Sequence, residues 1–282
     1  MLNPSNYQGS REYPPPHLES AAAKHRVCVV SADYRLAPQT RLPEILSDLT
    51  SLFSYLVSPA FDSATKSRID TSRIVTMGSS AGGWLSLLSG LNVGFEESGT
   101  RYEAELKDRV KGVVGIYPIT SVEHEFWHTK QSRVSYYDRR IEKEELKTQL
   151  DPKSDEIANV GDNDERNKMY TYMIQEACLE NLLLDGTGVD PSAFTVAKAI
   201  RLGKTVDPLP PIYLVHGTND DKVPHAQSVE VVEALRERKK NGANELSFEY
   251  EEKQGLDHGY DYAESETMSE MWAWVVEKLD EK

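Results

Sequence analysis

Residues 73–90 read Arg73-Ile-Val-Thr-Met-Gly78-Ser-Ser80-Ala-Gly82-Gly-Trp-Leu-Ser-Leu-Leu-Ser-Gly90. An apolar run, a cluster of tiny residues and an apolar repeat at helical spacing follow one another, so the stretch reads as strand, sharp turn and helix. Gly78-Ser79-Ser80-Ala81-Gly82 fits G-x-S-x-G, in which small residues two before and two after a serine let the backbone turn tightly and push the hydroxyl into the open. Ser80 is the candidate nucleophile. A helix starting near Ala81 points unsatisfied N–H groups and a positive dipole end at any negative charge forming beside that oxygen, which makes the Ala81 N–H a candidate oxyanion donor. The plainer reading is a Gly/Ser loop between a strand and a helix; the flanking chain decides between the two.

Upstream, Tyr13-Pro-Pro-Pro16 fixes an extended approach to a short helix around residues 18–25. Arg26-Val-Cys-Val-Val-Ser-Ala-Asp33 is an apolar, mostly β-branched run of strand length, expected to be a buried parallel strand. Residues 42–56 repeat apolar side chains at three and four with Pro43 in the first turn, which predicts an amphipathic crossover helix. Downstream, residues 110–117 form the next strand. The alternation resumes with a strand at 211–215, a helix at 226–238, a strand at 245–251 and a helix at 264–279. Strands alternating with helices imply a mostly parallel sheet covered on both faces, an α/β fold. Between residues 121 and 207 no strand signal occurs, only charged helical stretches at 142–150 and 165–184 and turn-rich connections. An excursion of that length is expected to be a helical cap inserted into a core made of residues 1–120 and 208–282. Its aromatic residues, Phe126, Trp127, Tyr136, Tyr137, Tyr170, Tyr172 and Phe194, either roof an apolar pocket or hold the insertion's own helices together.

In open parallel sheets ligands sit beyond the carboxyl ends of the strands, where Ser80 and two polar loops are expected to meet. One loop is His216-Gly-Thr-Asn-Asp220-Asp-Lys-Val-Pro224 and the other Gly255-Leu-Asp-His258-Gly-Tyr260. A serine hydroxyl is a weak nucleophile, so acyl transfer needs a histidine to take its proton and a carboxylate to hold that histidine in the right tautomer. His258 is the candidate base and Asp220 its orienting acid, with Asp221 the neighbouring alternative. Each has a bland reading, a surface histidine and a turn-forming aspartate. Three such residues in the order serine, acid, histidine, each after a strand, weigh toward a triad.

Here the chain resembles the α/β-hydrolases, and within them the carboxylesterases and lipases similar to hormone-sensitive lipase. The likeness covers almost the whole chain and rests on Asp33-Tyr-Arg-Leu-Ala-Pro38, Gly78-Ser-Ser-Ala-Gly-Gly83, His216-Gly-Thr-Asn-Asp-Asp-Lys-Val-Pro224 and Asp257-His-Gly259. It implies hydrolysis of a small-molecule carboxylic ester through an acyl-enzyme, with Ser80, Asp220 and His258 as the triad, a structural role for residues 34–38, and neither cofactor nor metal. Members of the family carry a His-Gly-Gly loop shortly upstream of a Gly-Ser resembling Gly9-Ser10, and its N–H groups complete the oxyanion hole. The chain as read starts after that loop and the strand leading into it. The core is therefore expected to be N-terminally truncated, with a slot in the sheet, residues 26–33 either shifting to pair with residues 73–77 or standing apart from them. Loss of oxyanion donors makes a catalytically impaired or non-catalytic remnant of the fold the leading alternative.

His124-Glu-Phe-Trp-His128 offers a further alternative, because H-E-x-x-H places two histidines one helical turn apart as in zinc peptidases. Bulky Phe126 and Trp127 between them argue for packing inside the excursion instead. Composition narrows the remaining classes. The chain holds 32 Lys and Arg against 46 Asp and Glu, a net charge of −14, without a basic run that would neutralise phosphates, so nucleic acid is not an expected partner. Cys28 and Cys178 are its 2 cysteines and supply neither a disulfide framework nor metal-finger spacing. With no signal-peptide pattern and no apolar stretch long enough to span a membrane, a cytoplasmic protein is expected. Nothing in the residues speaks to oligomeric state.

Overall fold

The computed structural model describes residues 14–281 apart from 103–105, 162–163 and 244; Gly9 and Ser10 lie outside the described residues. Two short helices, α1 (Pro16–Glu19) and α2 (Ala21–His25), lead into an extended segment and then α3 (Leu42–Leu56). Helix α3 starts where the sequence places it because Glu44 Oε2 accepts the Arg41 N–H at 2.8 Å and Pro43 sits in a first turn that needs no N–H there. After α4 (Pro59–Thr65) come β1 (Ile74–Ser79), α5 (Ala81–Leu91), the short α6 (Leu106–Arg109) and β2 (Val110–Ile116). The excursion holds α7 (Glu125–His128), α8 (Met169–Glu176), α9 (Leu179–Leu184) and α10 (Val196–Leu202). Residues 142–150, expected to be helical, make only a single 3₁₀ turn at Lys143–Leu146. The chain then closes with β3 (Ile212–Gly217), α11 (Ala226–Lys240), β4 (Phe248–Lys253) and α12 (Ser269–Asp280).

The four strands pair in parallel in the order β1-β2-β3-β4. Their period of two sorts side chains between two cores. Val113, Ile212 and Leu214 face the layer of α3, α5, α10 and α11, whereas Val114, Ile116, Tyr213 and Val215 face Trp272, Trp274 and Val275 of α12. Helix α5 is buried along most of its length, through Trp84, Leu85, Leu87, Leu88 and Leu91, each worth about 1.5–3 kcal/mol of burial. Registers such as Ser79 opposite Ile116, Ile116 opposite Val215 and Gly217 opposite Lys253 bring the carboxyl ends of all four strands to one rim. The loops after them carry the candidate site. No helix of the described residues is long and apolar enough to cross a membrane.

One expectation fails. Residues 26–33 form no strand; the segment stands apart from β1, with Val29 and Val30 exposed and Cys28 exposed between α2 and the turn before α3. A β-branched run becomes a strand only where a neighbour offers a ladder, and here the side facing β1 is a cavity of about 2210 Å³. Strand β1 is consequently half-buried, with β2 as its one partner among the described residues. Among the described residues the expected slot is therefore present, and its upstream wall is irregular chain. Cysteine reactivity tests this directly. Burial pushes the Cys178 thiol up to about 11, so it resists alkylation, whereas Cys28 is open to solvent. We expect one thiol, mapping to Cys28, to react promptly in the native protein and the other only in denaturant; two slow thiols would restore the buried strand.

Candidate active site

Ser80 sits between β1 and α5 at φ 55°, ψ −121°, a conformation that costs a non-glycine residue roughly 1–3 kcal/mol and persists only where its surroundings enforce it. The enforcement is visible. Ser80 N–H donates to Ile116 O at 2.9 Å, and Ser80 O accepts from Trp84 N–H at 3.1 Å and Ile119 N–H at 3.3 Å. A Cβ on Gly78 would lie 2.3 Å from the Gly82 carbonyl, and one on Gly83 2.9 Å from Gly78 O and from Pro118. Only glycine allows that crossing. A Cβ on Gly82 would meet nothing within 4 Å, so the second tight glycine is Gly83, one place later than the motif suggests. The Ser80 hydroxyl has no hydrogen-bond partner among the described residues and lines the large cavity, as does His258. Ala81 N–H, the first of α5, has no intrahelical acceptor, and Ala81 lines the same space.

The loops after β3 and β4 meet at a buried carboxylate. Asp220 Oδ1 accepts the N–H groups of Lys222 and Val223, both at 2.9 Å, while Oδ2 lies 2.7 Å from His258 Nδ1 and 3.3 Å from His216 Nε2. His216 Nε2 also lies 3.1 Å from Val223 O, which only accepts, so Nε2 carries the proton and Nδ1 takes the Ser228 hydroxyl at 2.7 Å. Burial pushes the Asp220 carboxyl up, but the hydrogen bonds from His216 and His258 outweigh it and hold the group far below the usual carboxylate range. Facing a carboxylate, His258 Nδ1 is the N–H, which leaves Nε2 as the lone-pair nitrogen. Asp221 turns away, its carboxylate taken by the Ser135 hydroxyl and by Lys222 Nζ at 2.9 Å. The structure thus brings Asp220, not Asp221, to His258. Among the described residues it shows no hydrogen bond from His258 to Ser80. The two share one cavity wall and are linked through the end of β2, which holds Ser80 N–H at Ile116 and sets the Tyr117 ring 4.4 Å from that of His258.

Two features lie beyond sequence reasoning. His216 opens the polar loop after the strand at 211–215, and nothing local announces that it clamps the acid. Tyr117 reads only as the end of a strand, yet it packs on the candidate base. Asp220, Asp221 and Asp257 carboxylates lie within 4.8 Å of one another, but the oxygens described here already accept from backbone N–H, imidazole, lysine or serine. His124 and His128 do not form a helical pair. His124 precedes the four-residue α7 and caps it, its Nδ1 accepting Phe126 N–H at 3.2 Å, while His128 Nε2 bonds Val122 O at 3.0 Å. Both rings serve the backbone, and Trp127 between them is buried in the main core.

Comparison with known proteins agrees with this fold. A family model described as the alpha/beta hydrolase fold matches residues 7–261. The chain is 27% identical over 250 residues to esterase LipC of Mycobacterium tuberculosis, covering 86% of this chain and 47% of that protein. It is 34% identical over 92 residues to versiconal hemiacetal acetate esterase of Aspergillus parasiticus, 33% of this chain and 24% of that one. The chain thus spans half or less of the length of the curated relatives it matches. A crystal structure of a protein with unknown function from Staphylococcus aureus superposes with a TM-score of 0.63 at 19% identity, covering 99% of this chain and 86% of that one, a likeness of fold alone.

Proposed function

Since the chain belongs to the alpha/beta hydrolase fold family, we propose that it hydrolyses small-molecule carboxylic esters by a serine mechanism. The observation that carries this reading is the 2.7 Å contact of His258 Nδ1 with buried Asp220, at the strand rim where strained Ser80 faces the same cavity. In it, Ser80 Oγ attacks the ester carbonyl while His258 Nε2 takes its proton, and Asp220 stabilises the imidazolium that forms. The tetrahedral oxyanion rests on Ala81 N–H at the positive end of α5. His258 then returns the proton to the leaving alkoxide, the C–O bond breaks, and an acyl group stays on Ser80. Water attacks that acyl-enzyme by the same steps reversed in role. The excursion over 121–207 acts as a cap, a role supported by Met173, Leu179 and Leu183, which line the cavity. Two cysteines without a disulfide fit a reducing, cytoplasmic setting.

A fluorophosphonate probe tests the reading. We expect covalent labelling of native protein with the adduct on the peptide containing Ser80, and with an activated ester a burst of alcohol approaching one equivalent before steady turnover. A second reading, a catalytically impaired or non-catalytic member of the fold, is favoured by the edge beside Ser80, which no second strand covers among the described residues and which borders the cavity. Folded protein that takes no label supports that reading and removes the first.

A further inference from the structure

Behind His258 lies a buried polar chain that the reaction scheme does not use. Tyr117, 2% exposed and immediately after β2, adopts φ 36°, an outlier for a bulky aromatic residue. Its N–H holds Val215 O at 2.7 Å, its hydroxyl donates to Asp261 Oδ1, and the Ser79 side chain, next to Ser80, faces the same phenol. Asp261, fully buried and three residues beyond His258, receives a second contact at Oδ2 from His17 Nε2 at 3.3 Å. The tautomer follows from the far end. Trp272 Nε1 of α12, a donor only, lies 3.1 Å from His17 Nδ1, so Nδ1 accepts and Nε2 carries the hydrogen directed at Asp261. Trp272 therefore fixes His17, His17 and Tyr117 fix Asp261, and the Tyr117 ring, tilted 53° to the imidazole at 4.4 Å, backs His258.

An apolar side chain in place of Tyr117 would need no carboxylate taken wholly out of water, and that burial, like the left-handed backbone here, is costly unless the geometry it imposes is used. Resting on the serine-hydrolase reading, we propose that Tyr117, anchored through Asp261 to His17 and Trp272, is a positioning residue that holds the His258 ring in its working orientation. Asp220 grips one nitrogen of that ring and leaves rotation about the grip open; a flat wall behind the ring removes it. The phenol also couples the loop of His258 to the turn of Ser80, so the two halves of the site share one anchor.

The experiment combines kinetics and histidine-selective NMR. Tyr117→Phe keeps the ring and deletes the hydroxyl; kcat is expected to fall about tenfold with KM within twofold, the split that misorientation of a proton-transfer group produces. Asp261→Asn is expected to fall comparably, and the double variant no further than the worse single, because both break one anchor. A Tyr117→Phe protein with kcat within twofold of the parent overturns the proposal, as does full additivity. If neither variant folds, the unmodified protein decides. The His258 ring protons, assigned by their loss in His258→Gln, are expected to be shifted upfield by the Tyr117 ring, and ordinary shifts overturn the proposal. Failure of the parent reading looks different: the upfield signal is present while the fluorophosphonate leaves Ser80 unlabelled, and the positioning role then falls with the reaction it serves.

Discussion

Ser80→Ala is expected to lose fluorophosphonate labelling and to lower ester turnover at least about ten-thousandfold, leaving only what Ala81 N–H and binding supply. The loss is expected to be chemical rather than structural. Alanine carries the same Cβ through the same strained φ and ψ as serine, and the Ser80 hydroxyl makes no hydrogen bond among the described residues, so the turn loses nothing that holds it. Melting temperature is expected to stay within about 2 °C of the parent. Ser80→Gly sharpens the comparison. It is equally inactive, but glycine occupies this region at little cost, so it is expected to unfold at a higher temperature than either serine or alanine. A glycine variant no more stable than alanine would mean the strain at residue 80 is not real. An alanine variant that retained turnover would end the serine mechanism.

Asp220→Asn is the second large effect, a fall in kcat of about ten-thousandfold with the protein still folded. The carboxylate accepts on both oxygens, two backbone N–H groups at Oδ1 and two imidazoles at Oδ2. An amide has one acceptor. If its NH₂ faces the imidazoles, His258 must accept at Nδ1 and carry its proton on Nε2, the nitrogen that should take the serine proton. If it faces the backbone, two buried N–H groups go unpaired at about 1–3 kcal/mol each. Either outcome is damaging, and the first keeps the fold. Asp221→Asn, whose carboxylate takes the Ser135 hydroxyl and does not face His258, is expected to stay within about threefold; reversal of the two results would exchange their roles. The same substitution reports on acid stability. Because Asp220 titrates below its unfolded value, its contribution is fully present above the ordinary carboxylate range and is lost as pH falls below that range toward its folded value, so the asparagine variant is expected to lack that part of the acid transition.

How much of this was legible in the chain depends on how local the cause is. The strand, turn and helix around Ser80 follow from apolar spacing and from the crossing of Gly78 against Gly82 and Gly83, five residues apart at most, and the order of strands follows from alternation. The triad candidates could be named because each loop follows a strand, and the sheet register carries those ends to one rim. Residues 26–33 misled because a β-branched run states a preference for pairing but not whether a partner exists. His124 and His128 match a metal motif over five residues, but the bulky Phe126 and Trp127 between them already pointed to packing, and both rings bond backbone groups. Tyr117, Asp261, His17 and Trp272 were silent because their contacts span up to 255 positions, and nothing short-range records them. Asp220 was separable from Asp221 only through geometry, since adjacent aspartates differ in direction and not in type.

The side of β1 that pairs with no strand among the described residues has a consequence for how the molecule behaves in company. An edge strand with unspent N–H and C=O groups is a template on which another chain can extend the sheet. What opposes that association is the surplus of acid, a net charge of −14, which keeps like molecules apart. Such repulsion fades once ionic strength shortens its range to about 8 Å, near physiological salt. Dilute buffer is thus expected to oppose association along that edge, and concentrated salt to permit it.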